Sequence, residues 1–192
     1  MKRNRTIALV FLASITLVVL AWTRAAAQTQ PDRPEFNKLK PEVQILVVTW
    51  LHRDCGAAEK LALEKKLIAI GPSLEPVFWE AFRLGPTRKD VEADTGAFAS
   101  RYADRQSWLT QFGDVQMGKE ETARQLAIPQ KQYVDREVLQ ASESYKTQAV
   151  AGLGLIGTRQ SEAELSRIAD DARNGAQIAA QEALKAIRQR SR

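Results

Sequence analysis

The chain has 192 residues, with 28 lysines and arginines, 23 aspartates and glutamates, one histidine and one cysteine. One cysteine excludes a disulfide within the chain, and one histidine with one cysteine cannot supply a zinc site of the usual composition. The fold must therefore rest on a packed core, and the length is sufficient for one domain.

The first 27 residues have the pattern of a secretory signal peptide. A basic start, MKRNR, precedes the apolar residues 7–22, and three alanines follow at 25–27. At about 1.5 Å per residue the apolar segment reaches roughly 24 Å, less than the roughly 30 Å hydrocarbon core of a bilayer. We predict cleavage after Ala27 and an exported protein, periplasmic or secreted if bacterial. An uncleaved leader that tethers the chain to a membrane is the alternative.

Removing this leader nearly neutralises the chain. Four basic residues and no acidic ones lie in residues 1–27, which leaves 24 basic against 23 acidic residues. Nucleic acid is therefore not predicted as a partner. The basic end formed by Lys185, Arg188, Arg190 and Arg192 favours a solvated helix terminus over a phosphate-binding tail.

Residues 28–40, QTQPDRPEFNKLK, are polar, contain two prolines and are predicted to form an extended lead-in. Residues 41–190 are predicted to form a single all-α domain, because apolar residues recur at helical spacing and no bounded alternating run is present. The helix predicted from Pro41 to His52 is apolar on two sides. Either the lead-in and the middle segment cover it, or another chain does.

The stretch GLGLIG, residues 152–157, has the spacing of a dinucleotide-binding loop. It continues the apolar stripe of a helix predicted from just after Pro129 to Ile156, whereas the nucleotide fingerprint needs a preceding strand. We therefore predict no cofactor. Gly152 lies on the stripe and would let a neighbouring helix approach, Gly154 lies off it, and Gly157 is predicted to end the helix in a left-handed conformation.

Two further predicted helices repeat this pattern. Ser161 is predicted to cap the first, with Glu164 as its capping-box partner. The second matches the long helix at a constant offset of 31 residues, and an earlier copy at 57–85 matches it at an offset of 86. In that copy Ser73 is the predicted cap, Leu84 faces inward and Gly85 ends the helix.

The segments EKKLIAIGPSLEPVFWEAF and AVAGLGLIGTRQSEAELSRIADDARNGAQIAAQEALKAI resemble the HEAT-like repeat family, including the shorter repeats named after phycobilisome lyases. The resemblance covers about residues 57–85 and 134–190, and residues 86–130 are a non-repeat helical insertion. It implies antiparallel helix pairs stacked as a short α-solenoid. It also implies a scaffold that binds other proteins.

The middle segment carries the candidate contact surface, because two arginines lie among aromatic residues on one predicted helix face. Such residues are enriched at interface hot spots. The alternative is a core-facing helix whose arginine stems cover apolar surface. The face comprises Phe98, Arg101, Tyr102, Arg105, Trp108, Leu109 and Phe112. Trp79 is a second candidate, for which burial is favoured.

The predicted function is an exported, non-catalytic helical scaffold that binds another protein, with no cofactor and no metal. One alternative is an envelope enzyme or cofactor carrier that uses His52, Asp54 and Cys55, although His52 has the spacing of a packing histidine. Another is a membrane-tethered structural protein, in contact with the membrane only through an uncleaved leader.

Overall fold

The computed structural model describes residues 32–52 and 57–191, which contain helices and no β-strand. This part of the chain confirms the all-α class. Short 3₁₀ turns cover Gly71–Leu74 and Arg159–Ser161, and a π-helix covers Leu109–Gly113. The α-helices are α1 (Pro34–Asn37), α2 (Pro41–His52), α3 (Ala57–Ile70), α4 (Glu75–Leu84), α5 (Arg88–Trp108), α6 (Asp114–Met117), α7 (Lys119–Leu126), α8 (Gln130–Ile156), α9 (Glu162–Asp170) and α10 (Gln177–Arg190).

Helix α8 is the central element, because α2, α3, α4, α5 and α10 all pack against it and α9 packs on α10. The apolar face predicted for α8 is buried in the C-terminal half of the helix, from Tyr145 to Ile156. Phe78 of α4, Leu165 of α9 and Ile187 of α10 join the same core. Burying these large side chains is the main favourable term in folding.

The stretch GLGLIG forms the last turns of α8, as predicted, and not a phosphate-binding loop. A Cβ atom on Gly152 would lie 2.7 Å from Cζ of Phe78, so this glycine permits the close approach of α4. Two details of the prediction are wrong. Gly154 is also a packing position, since its Cβ would lie 3.2 Å from Cα of Ala183 in α10. Gly157 has φ −63°, which is not left-handed; there a Cβ would lie 2.6 Å from the Leu153 carbonyl oxygen.

The two predicted serine caps are also wrong. Ser161 makes no cap hydrogen bond, because its hydroxyl donates to the Glu75 carboxylate and accepts a hydrogen bond of 2.8 Å from Trp79 Nε1. Glu75 also accepts from the Thr158 amide at 3.1 Å. A buried carboxylate thereby links the start of α4 to the turn between α8 and α9. The hydroxyl of Ser73 donates instead to a carbonyl one turn earlier, and α4 begins two residues later.

Gly85 ends α4 at φ +72°, as predicted, a conformation that favours glycine. The inward orientation predicted for Leu84 is wrong, because that residue is 50% exposed.

Helix α2 is covered on one side by the lead-in, whose Phe36 is buried in the core. Within that lead-in, Pro34–Asn37 form one helical turn where an extended chain was predicted.

The predicted signal peptide, residues 28–31, Asp54 and Cys55 lie outside the described residues. Of the helices in the described ranges, none combines the length and hydropathy needed to span a membrane.

Candidate protein-interaction surface

Residues 88–144 form an arm that is separate from the main core. It comprises α5, the π-helix, α6, α7 and the N-terminal half of α8. All of residues 57–191 are described, and within them the main core contains no side chain between residues 83 and 144. The arm has a small interior of its own, in which Leu109, Thr122 and Val134 are buried.

An aromatic and arginine cluster holds α5 to the start of α8. The Tyr102 hydroxyl donates to the Ile128 carbonyl at 2.8 Å, and its ring centroid lies 5.6 Å from that of Tyr133. The Arg105 guanidinium lies 5.2 Å from the Tyr133 ring centroid and donates to the Gln125 carbonyl at 3.1 Å. These two predicted surface residues therefore have partners inside the arm.

The π-helix creates the tight contact at the far end of the arm. A Cβ atom on Gly113 would lie 2.6 Å from Cγ2 of Thr122 in α7, so any larger residue here would force the Thr122 side chain to shift. The Thr122 hydroxyl donates to the Gly118 carbonyl at 2.8 Å, which fixes the turn between α6 and α7. π-Helical turns are rare and frequently occur at functional sites.

Three large apolar side chains are exposed along this end of the arm, and we call them the apolar stripe. Trp108 is 44% exposed, Phe112 49% and Val115 86%. The ring centroids of Trp108 and Phe112 are 6.4 Å apart, so the two rings form one surface, and Val115 follows three residues later. Met117, at the end of α6, is also exposed.

The structure divides the predicted face into two adjacent stripes. Tyr102, Arg105 and Leu109 face the interior of the arm, while Arg101, Trp108 and Phe112 face solvent. Phe98 is half-buried, and the Arg101 guanidinium lies 5.5 Å from its ring centroid.

Trp79 does not join this surface, because it is buried in the main core with the Arg83 guanidinium 5.6 Å from its ring centroid. Val115 was missed by the sequence analysis. Its position three residues after Phe112 was a usable signal, but the predicted face stopped at Phe112.

His52 lies at the C-terminus of α2 in a packing position. Its ring is edge-on to Tyr145, with centroids 5.2 Å apart, and its Nε2 atom lies 3.9 Å from Asp90. In the part of the chain that the structure describes, no three His, Cys, Asp or Glu residues cluster as metal ligands would. Asp170 and Asp171 are exposed.

Comparison of the chain with protein-family models, with curated proteins and with solved structures finds no match.

Proposed function

We propose that this protein is an exported helical scaffold that binds another protein through the apolar stripe of the arm. The observation that carries the proposal is the exposure of Trp108, Phe112 and Val115 on a part of the arm that contributes no side chain to the main core. Two adjacent exposed aromatic rings, followed by a further exposed apolar side chain, are typical of an interaction site.

The composition of the stripe supports a protein partner. Tryptophan and phenylalanine are enriched at the centres of protein interfaces, where each buries a large area at a small cost in side-chain entropy. Arg101 flanks the stripe on the solvent side and is suited to an interface rim. The near-neutral charge that remains after residue 27 gives no support for nucleic acid as the partner.

We further propose that the main core is built from HEAT-like repeats stacked as a short α-solenoid. The matching apolar faces at offsets of 31 and 86 residues support this, as do the two close approaches that glycine permits. Gly152 admits the Phe78 ring of α4, and Gly154 admits Ala183 of α10, on either side of the same helix. Stacked repeats need such small residues where neighbouring units meet.

Photo-crosslinking in the envelope fraction tests the proposed surface. A photoreactive phenylalanine analogue at Phe112 is expected to give one dominant crosslinked protein. The same analogue at Ile178, which is 74% exposed on α10, serves as the matched control and is expected to give none. Equal or absent crosslinking at the two positions would contradict the proposal.

Mass measurement of the exported protein tests the proposed localisation. A mature chain that begins at Gln28 is expected, because the three alanines that precede it suit signal peptidase. A full-length mass in the membrane fraction would support instead a tethered protein with the same scaffold.

A further inference from the structure

Residues 33–37, near the N-terminal end of the described chain, form a strap over α4 and α8. Arg33 is only 5% exposed. Its guanidinium donates to the Tyr145 hydroxyl at 3.2 Å and to the Gly85 carbonyl, and it lies 5.8 Å from the Tyr145 ring centroid. The strap therefore inserts a charged side chain into the protein.

Within the described residues the Arg33 guanidinium forms no ion pair, although the Glu80 and Asp90 carboxylates act on the Tyr145 side chain that it contacts. Among the described residues, the hydrogen-bond partners of Arg33 are a phenol and a backbone carbonyl. Burial raises the pKa of Tyr145 to about 12, so the phenol stays protonated and supplies no negative charge. A buried cation without an ion pair is a weak anchor, and an apolar side chain of similar size would hold a permanent strap better. An arginine would also keep an undocked strap hydrated.

The remaining contacts define a slot beneath the strap. The Glu80 carboxylate accepts the backbone amides of Glu35 at 3.0 Å and Phe36 at 2.9 Å. Phe36 is buried in the core, and its carbonyl accepts from Gln44 Nε2 at 3.3 Å. The slot thus binds the strap at three points. The Glu80 carboxylate accepts two backbone amides, two oxygens accept hydrogen bonds from the arginine, and a pocket encloses the phenylalanine three residues later.

We propose that the strap is releasable and that the slot is a second binding site, for a partner segment with the pattern Arg-x-x-Phe. The strap is then an internal competitor that occupies the slot until the partner segment displaces it. This site uses α4 and α8 and is independent of the apolar stripe, so either proposal can fail without the other.

Hydrogen exchange on the wild-type protein tests whether the strap opens alone. The amides of Glu35 and Phe36 are expected to be at least about 100-fold less protected than the amide of Val150, because a releasable segment opens without global unfolding. Equal protection of the three amides would overturn the proposal, since the strap would then open only when the whole domain unfolds.

Peptide binding tests the slot itself. The probe is a labelled peptide of residues 32–38, DRPEFNK, added to the full chain with Arg33→Ala and Phe36→Ala. Binding to this variant is expected to be at least about tenfold tighter than to the wild type, whose slot is occupied. Adding Glu80→Gln to the variant, or alanine at both positions of the peptide, is expected to weaken binding. Equal binding to wild type and variant, or none to a folded variant, would overturn the proposal.

Competition on the wild-type protein covers the case in which the variant does not fold. Increasing peptide concentration is expected to accelerate exchange of the Glu35 and Phe36 amides, because the peptide takes the place of the strap. Exchange that does not change with peptide concentration would overturn the proposal.

Discussion

Arg101 and Arg105 lie one helical turn apart on α5, and the structure assigns them different surroundings. The sequence places them correctly on one face, because residues four apart are neighbours on a helix. The sequence could not show that α7 and α8 cover only part of this face, so that Arg105 is covered and Arg101 is exposed. This difference depends on Tyr133 and Gln125, which lie more than a turn of helix away in sequence and meet Arg105 only in the folded arm.

Single alanine substitutions should separate the two arginines. Arg105→Ala is expected to lower the free energy of unfolding by about 1–2 kcal/mol, because it removes a part-buried charged hydrogen bond. Arg101→Ala is expected to change it by less than about 0.5 kcal/mol, since that side chain is exposed. Urea denaturation measures both, and equal losses would contradict the assignment.

Two helical glycines offer a second comparison at the residue scale. Gly152→Ala is expected to destabilise the protein by about 1–3 kcal/mol, because the added methyl group would overlap the buried Phe78 ring. Gly96→Ala on α5 has no atom within 4 Å of the added Cβ, so it is expected to stabilise by about 0.5–1 kcal/mol through helix propensity. Thermal and urea unfolding of the pair check this. A stable Gly152→Ala variant would show that α4 and α8 are not in close contact.

At the scale of elements, strong periodicity predicted the helices and left their caps uncertain. The apolar face of α8 is long, and Pro129 and Gly157 mark its ends, so the helix was predicted to within a residue. The cap predicted at Ser161 is wrong because its hydroxyl donates to the Glu75 carboxylate, which lies 86 residues away in sequence. A local capping motif cannot register a competing partner that only tertiary packing supplies.

The arm should open more easily than the core, since it buries few apolar side chains and contains the buried Gln106 amide nitrogen, which has no hydrogen-bond partner among the described residues. Hydrogen exchange measured by mass spectrometry is expected to show lower protection in residues 119–126 than in residues 145–156. Helices α5 and α7 of the arm are expected to lose protection together. Equal protection of residues 119–126 and residues 145–156 would contradict a separate arm.

For the whole molecule, composition and spacing sufficed for the all-α class, because no alternating apolar run competes with the helical stripes. Composition and spacing did not indicate that one helix, α8, belongs to both the main core and the arm. The C-terminal half of α8 lies in the main core and its N-terminal half lies in the arm, although the same apolar spacing runs through both. Periodicity identifies the face of a helix that is covered, but not which element covers it.

The division of α8 between the main core and the arm accounts for the exposed residues of the arm. A segment outside the main core can carry Trp108, Phe112 and Val115 on its surface without a loss of core packing. The proposed binding surface is thereby separated from the residues that stabilise the fold, which is the usual arrangement when a rigid scaffold presents a binding element.

Removing the apolar stripe and measuring both binding and stability tests the proposed binding surface most directly. Trp108→Ala with Phe112→Ala is expected to reduce recovery of the captured partner from the envelope fraction at least about tenfold, because aromatic side chains dominate interface energies. The melting temperature is expected to stay unchanged. The matched control is Leu61→Ala with Ile68→Ala, a slightly more exposed apolar pair on α3, which should retain the partner. Full recovery with the stripe variant, or equal loss with the control, would contradict the account.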